Sequence, residues 1–350
     1  MFSQIYSNIS FFFSYLNLGE LKFKLYLYFS IILRFNTTMH ILRLFLFLIS
    51  IYFVIPSVRA QQDSLSYISY RKKKIFYSDY GFHSAPFDIF LTDKNIKLKY
   101  RNNFKAFYGF GFSYKWFSLR LGLITPFQLK SSETFGKSSY FHVGFDYTYK
   151  KIFIDFDIHK LKGYALINEK QNIILPNLRT QNITLNTWYF NTDHFNMDAL
   201  QGRKAIFSKT ITTWYLKNSL SVFNVFNHPF ILPIDDSSIH NSKLRSNEFD
   251  IIDLGIVPGI GISTKFHNWS FNVLLGLGLV VQYKSYIFDD ERRSYIGLAP
   301  RYDLRVLGGY NTSKWFTMLN TEFDFKKIKF TGLEISNTYY TFRLVFGYRL

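Results

Sequence analysis

The segment YTFRLVFGYRL, residues 340–350, decides the fold. Tyr340, Phe342, Leu344, Phe346, Tyr348 and Leu350 are all aromatic or aliphatic. Between them stand Thr341, Arg343, Val345, Gly347 and Arg349, mostly polar, charged or small. A helix would scatter the first set around its circumference. A repeat of two gathers it on one face, so the segment is a strand with one apolar and one polar side.

The same alternation recurs upstream in hairpins. Phe141, Val143, Phe145, Tyr147 and Tyr149 oppose His142, Gly144, Asp146 and Thr148. Ile152, Ile154, Phe156 and Ile158 oppose Asp155, Asp157 and His159. Leu119, Leu121 and Leu123 oppose Arg120 and Gly122. Leu304 and Val306 oppose Arg301, Asp303 and Arg305, while Leu319, Phe323 and Phe325 oppose Glu322 and Asp324.

A soluble sandwich also alternates, and three features favour a barrel in a bilayer. The polar face holds full charges and glycines, and the other is almost purely apolar. The strands run about ten to thirteen residues, enough to cross a bilayer at a tilt. Tight turns near Lys115-Trp116, Lys150-Lys151, Asn268-Trp269 and Ser313-Lys314 alternate with longer connections at 127–138, 163–180, 227–249 and 284–297. Outer-membrane barrels distribute periplasmic turns and exterior loops in this way. The expectation is an all-β, antiparallel, up-and-down transmembrane β-barrel of about 12–14 strands. The fourteen-strand version begins at 89–100 and needs strands at 181–190, 194–201, 206–216 and 219–226, where alternation is poor.

Composition agrees. Of 350 residues 21% are aromatic, with 41 Phe and 26 Tyr, and Cys is absent. Zero Cys excludes a disulfide scaffold and a thiolate metal site. Lys and Arg number 42 against 24 Asp and Glu, a formal charge of +18. No helix-turn-helix, zinc or RNA-binding signature accompanies them, so nucleic acid is not expected as a partner. Outer-membrane lipid, lipopolysaccharide included, is an expected partner for its phosphates, and the other reading of the excess is a charge bias shared among loops, turns and lumen.

Residues 39–60 read as a secretory signal peptide. Arg43 supplies the positive start, 44–55 the apolar run, and Val58-Arg59-Ala60 a cleavage site before Gln61. A signal peptide works at a terminus, so translation is expected to start at Met39, with residues 1–38 a mis-assigned extension; a membrane anchor is the alternative. Residues 61–88 would then be a periplasmic segment and 89–350 the barrel, in the bacterial outer membrane. The 340–350 strand also resembles the sorting strand read by the barrel-assembly machinery, with Tyr348 and Leu350 in its aromatic and apolar positions. The usual terminal Phe is Leu350 here.

Tyr100-Arg101-Asn102-Asn103 precedes an aromatic-glycine strand, and Pro176-Asn177-Leu178-Arg179 leads into Tyr189-Phe190-Asn191. With the signal and the hairpins, these segments resemble an uncharacterised Bacteroidetes outer-membrane family, the domain of unknown function 4421. The likeness runs over roughly 65–350. It implies a barrel and a location, and no reaction.

One cluster could carry chemistry. If the Lys150-Lys151 turn has two residues, Asp146 faces Asp155 and His142 faces His159 in the lumen, with Asp157 one pleat away. Opposed carboxylates need a proton, a cation or an Arg. Histidines with carboxylates could bind a divalent metal or a small ligand, or act as an acid–base pair. Against these stands plain lumen packing, with Arg120, Arg301, Asp303, Arg305, Glu322, Asp324, Arg343 and Arg349 as a charge network. No catalytic residue and no cofactor is assigned. Gly136-Lys137-Ser138 lacks the upstream Gly of a phosphate loop, which is Ser131 here. The expected role is a non-enzymatic channel, ligand-binding or structural barrel. The alternatives are a barrel enzyme acting on lipid or peptide, using His142 and His159 or rim residues Asp235, Asp236 and His240, and a secreted β-sandwich adhesin.

Overall fold

The computed structural model describes residues 66–92, 95–103, 105–128, 132–167, 172–228, 231, 246–288, 291–330 and 332–350. The upstream extension, the signal with Ala60 and Gln61, and Asp235, Asp236 and His240 lie outside them.

A short β1 (Tyr67–Ser69) stands before the main sheet. β2 (Ile75–Ser84) and β3 (Phe87–Leu91) form one wall strand interrupted at Ala85-Pro86, where proline offers no N–H to the ladder. β4 (Ile96–Asn102) and β5 (Lys105–Tyr114) form the next. There follow β6 (Phe117–Gln128), a helical turn α1 (Ser132–Phe135), β7 (Ser139–Tyr149), β8 (Ile152–Ile167) and β9 (Ile173–Phe190). After α2 (Met197–Leu200) and β10 (Ala205–Phe207) come β11 (Ile211–Phe226), β12 (Glu248–Phe266) and β13 (Trp269–Phe288). β14 (Glu291–Asn311), β15 (Trp315–Phe330) and β16 (Leu333–Arg349) complete the chain. Each wall strand pairs antiparallel with its sequence neighbours, and β16 closes onto both β2 and β3. The result is a 12-strand ring of up-and-down connectivity. A two-sheet sandwich is thereby excluded.

Two expectations need correction. The barrel begins at Ile75, not at 89. Its first strand carries rings on both faces, Phe76 and Tyr80 outward but Tyr77 and His83 inward, which blurs the polarity signal. The stretch 194–226 is not three strands. It is one strand, β11, preceded by an insert at 191–210 that turns into the barrel. Lys217 and Asn218 break the apolar repeat of β11, yet Lys217 points inward to Asp303 at 3.1 Å.

The register also shows what fills the ring. β15 displays the design in one strand. At the turn end Phe316 and Met318 point inward, fully buried. Next come Asn320, Glu322, Asp324 and Lys326, and then, at the loop end, Ile328 and Phe330. β8 repeats the order from Phe153 through Asp155, Asp157 and His159 to Leu161, and the strands together hold an apolar cluster at each end of a charged layer. The turn-end layer packs Trp188, Phe190, Tyr215 and Leu274 around the insert's Phe195, Met197, Leu200 and Phe207. The loop-end layer packs Phe87, Tyr100, Tyr164, Phe223, Phe249, Tyr286 and Phe330. Each such side chain, fully buried, contributes about 1.5–3 kcal/mol. Outward polarity inverts in step. Phe323 and Phe325 give way to Lys327 and Lys329 where the inward face turns apolar. Trp116, Trp214, Trp269 and Trp315 are exposed toward the turn end.

The hairpin of β6 and β7 is short, and β4 passes beyond it to pair directly with β8. Gly163 makes that seam possible. Its φ of +89° suits glycine, and a Cβ there would sit 2.1 Å from the Lys137 carbonyl oxygen. Ser138 Oγ donates to the Gly163 carbonyl at 2.7 Å and accepts the Asn103 amide at 2.9 Å. Gly163→Ala is therefore expected to destabilise the barrel by about 1–3 kcal/mol, read as an earlier thermal transition in the heat-dependent gel shift of the folded form.

Candidate functional site

The charged layer is built on the inward faces of β2, β6, β7, β8, β14, β15 and β16. The Lys150-Lys151 turn does hold two residues, so Asp146 lies opposite Asp155 and His142 opposite His159. The two aspartates do not share a proton or an ion, because each turns to its own partners. Asp146 receives Arg203 at 2.6 Å and Lys204 at 3.2 Å, both from the insert. Asp155 receives Asn186 at 2.9 Å and faces Arg305 at 3.5 Å.

Two buried imidazoles, His83 and His142, and the half-buried imidazole of His159 stack at the centre. His142 lies on His159 with centroids 4.1 Å apart and planes 12° apart, and the His83 ring lies 5.1 Å from His159 with planes 19° apart. Tyr140 donates to or accepts from His159 Nδ1 at 2.8 Å, and Tyr339 meets His159 edge-on at 5.0 Å. The Arg120 guanidinium donates to His142 Nδ1. That leaves His142 Nε2–H to donate to Asp157 at 2.6 Å, so the neutral tautomer satisfies both contacts. Arg120 also grips Asp79 with two bonds of 2.6 Å each, a bidentate charge-assisted pair.

The remaining acids and bases form a second web. Arg343 binds Glu322 at 2.8 Å, and Arg305 lies 3.8 Å from both Glu322 and Asp303. Arg301 contacts Asp324 and stands 3.6 Å from Asp253, which Lys326 also reaches at 3.4 Å. The buried Trp188 ring faces Arg305 at 4.6 Å and Lys217 at 4.9 Å, so it closes this web by cation–π contact.

The sequence placed Arg120, Arg301, Asp303, Arg305, Glu322, Asp324 and Arg343 in the lumen, and all of them are there. Arg349 is inside too, but among the described residues no salt bridge joins it to a carboxylate side chain. It donates to the Arg203 and Gly202 carbonyls at 2.8 and 2.6 Å and to Asn311 Oδ1 at 2.6 Å, and so ties β16 to the insert. Sequence reasoning missed Asp79, His83, Trp188, Arg203, Lys204 and Asp253. Asp79 and His83 could have been found from the period-two run at 75–84. Arg203 and Lys204 had no such signal, since they lie in an irregular insert.

The donor atoms of His142, Asp157 and His159 lie within 4.8 Å of one another, close enough for one metal ion. The surrounding charge opposes it. Arg120 already occupies His142 Nδ1, and Asp157 already takes the Nε2 proton. A cation would have to displace that bond beside a guanidinium. The cavity next to these groups, bounded by Tyr77, Asp157, His159, Arg305 and Glu322, measures about 70 Å³. That is room for a few waters. The arrangement works best as a sealed, hydrogen-bonded network.

The segments singled out in the sequence are structural. Tyr100 donates to the Ile231 carbonyl at 3.2 Å, Arg101 holds Asp88 at 2.6 Å, and Asn103 Nδ2 reaches the Gly136 carbonyl at 2.8 Å. Leu178 and Phe190 are buried, and Asn191 accepts from Thr213 at 2.6 Å.

Among solved structures, the outer-membrane protease OmpT from Escherichia coli is similar at 10% identity, with 83% of this chain and 100% of that one covered and a TM-score of 0.38. The translocator domain of the autotransporter NalP from Neisseria meningitidis is similar at 8% identity, with 83% and 90% covered and a TM-score of 0.36. The P. putida toluene transporter TodX is similar at 8% identity, with 79% and 90% covered and a TM-score of 0.27. No curated protein matches the sequence. One family model matches residues 61–350, that of a domain of unknown function, DUF4421. The chain therefore belongs to the DUF4421 family, the one its 100–103 and 176–179 segments resemble.

Proposed function

We propose that this protein is a non-enzymatic barrel of the bacterial outer membrane whose lumen is closed, serving as a rigid scaffold in the bilayer rather than as an open channel. One observation carries this reading: two apolar layers enclose the charged layer and leave a central cavity of about 70 Å³. A pore needs a continuous aqueous path, and apolar plugs on both sides of the polar layer remove it.

The membrane part rests on the outer wall. Leu275, Leu277 and Leu279 on β13 and Phe342, Leu344 and Phe346 on β16 are exposed, an apolar surface that water disfavours and lipid does not. The turn end, with the insert, would face the periplasm and the loop end the exterior. Export would use the signal at 39–60. The family match begins at residue 61, immediately after the expected cut, which supports that boundary. Assembly would proceed through the barrel-assembly machinery reading β16, with lipid and lipopolysaccharide as surrounding partners.

An enzyme acting on lipid or peptide finds little support. His142 and His159 lie deep in the lumen between the plugs, where a substrate of that size has no route. The test is single-molecule conductance in a planar bilayer. Protein confirmed as inserted and folded is expected to give no stable current steps under moderate voltage. Persistent resting steps would overturn the closed lumen.

A further inference from the structure

Around the loop-end collar of the outer wall, most cations have a carboxylate partner. Lys97 and Arg101 bind Asp88, Lys327 and Lys329 bind Glu334, and Arg292 binds Asp250. One cluster departs from this. Lys160, Lys162 and Arg179 point outward on β8 and β9, and no ion pair among the described residues engages them. Lys162 stands directly opposite Arg179 in the ladder. Like charges placed so oppose pairing, unless an anion sits between them.

These residues line a groove of about 560 Å³ on the outer wall, together with Phe141, Gln181 and Asn224. Glu248, the first residue of β12, also lines it. The Arg179 guanidinium carbon lies over the Phe226 ring, 4.3 Å from its centroid, a cation–π contact that holds the group at the groove. Directly toward the turn end, the same outward faces become apolar: Phe141, Ile158 and Ile183. A cationic cluster immediately above an apolar wall matches one kind of molecule, with an anionic head and hydrocarbon tails.

We propose that Lys160, Lys162 and Arg179 form a binding site for the phosphate head of a phosphorylated lipid in the outer leaflet, its acyl chains lying on Phe141, Ile158 and Ile183. The site deepens the bilayer reading above and rests on it. Phosphate offers three strong acceptors, Arg179 recognises them as a planar fork, and the two lysines supply point charge.

The test uses the full chain in phosphatidylcholine nanodiscs doped with phosphatidic acid, with bound lipid counted by native mass spectrometry. The parent protein is expected to retain phosphatidic acid selectively. The Lys160→Gln, Lys162→Gln, Arg179→Gln triple variant is expected to lose affinity by on the order of 100-fold, at about a factor of five per cation near a membrane surface. These side chains are exposed, so the variant's heat-dependent gel shift should match the parent's and confirm folding. Equal retention by parent and folded variant would overturn the site. So would full competition by inorganic phosphate, which would point to a free anion instead of a lipid. A parent that enters nanodiscs without preferring phosphatidic acid overturns the site alone. A parent that stays out of nanodiscs overturns the membrane reading as well.

Discussion

Replacing Asp146 by Ala is expected to lower barrel stability by about 3–5 kcal/mol, because it takes the paired carboxylate from buried Arg203 and one of two carboxylates from buried Lys204. Arg203 and Lys204 sit 2.6 and 3.2 Å from that carboxylate and lie almost entirely out of solvent. Lys204 keeps Asp198 at 3.1 Å, whereas Arg203 is left hydrogen-bonded to the neutral Tyr77, at 2.7 Å, and Gln201. Asp146 is the wall's ionic hold on the insert, so the insert should detach before the wall unfolds. Limited trypsin digestion should then cut at Arg203 or Lys204 in the variant and spare the parent. The same variant should show intermittent conductance, since the turn-end plug is no longer fastened from that side. Protection equal to the parent would mean that Arg349 and the apolar contacts of Phe195 and Met197 suffice to hold the plug.

Arg120→Met is expected to be comparably harmful, again by about 3–5 kcal/mol. It leaves Asp79 buried without its bidentate partner and takes the donor from His142 Nδ1. The informative comparison is the double variant Asp79→Leu with Arg120→Met. Replacing a buried pair by apolar residues of similar volume is often neutral, whereas breaking it is not. Thermal unfolding of the double variant should therefore recover most of the loss seen in Arg120→Met. Failure to recover would mean that Arg120 matters chiefly through the imidazole stack and not through Asp79.

Much of this layer was legible in the sequence. Arg120, His142, Asp155, Glu322 and Arg343 each sit one position away from strongly apolar residues. A repeat of two then leaves them no place but the inward face. Register followed from the Lys150-Lys151 turn, because a two-residue hairpin fixes every cross-strand pair behind it. The opposed aspartates were thus visible, but what neutralises Asp146 was not. Arg203 and Lys204 come from a segment with no repeat, and its apolar residues Phe195, Met197 and Leu200 looked like a weak strand because they are buried. Strand β11 was split for the opposite reason. Lys217 reads as a surface residue until Asp303 and Trp188 are placed against it.

Lumen packing by a charge network is legible in the sequence, whereas the two apolar layers are not, because polarity changes along each inward face. The inward face of β15 changes from apolar to charged to apolar, and averaging over the strand reports only a mixed face. The outward change at Lys327 was the available clue. Where a wall leaves lipid for water, its outer face turns polar, and the apolar residues that remain must point in, as in a soluble barrel.

A closed outer-membrane barrel has lipid against its outer wall and packed side chains within. The chain has no Cys, so single cysteines report cleanly. Leu277→Cys probes the outward face, Val280→Cys the inward face, and Lys150→Cys an exposed turn. With the protein in lipid vesicles permeabilised to the reagent, a charged maleimide is expected to label position 150 and to leave 277 and 280 untouched. Labelling at 280 would reveal a water-filled pore, labelling at 277 a wall bathed in water, and either result would contradict the structure's central claim.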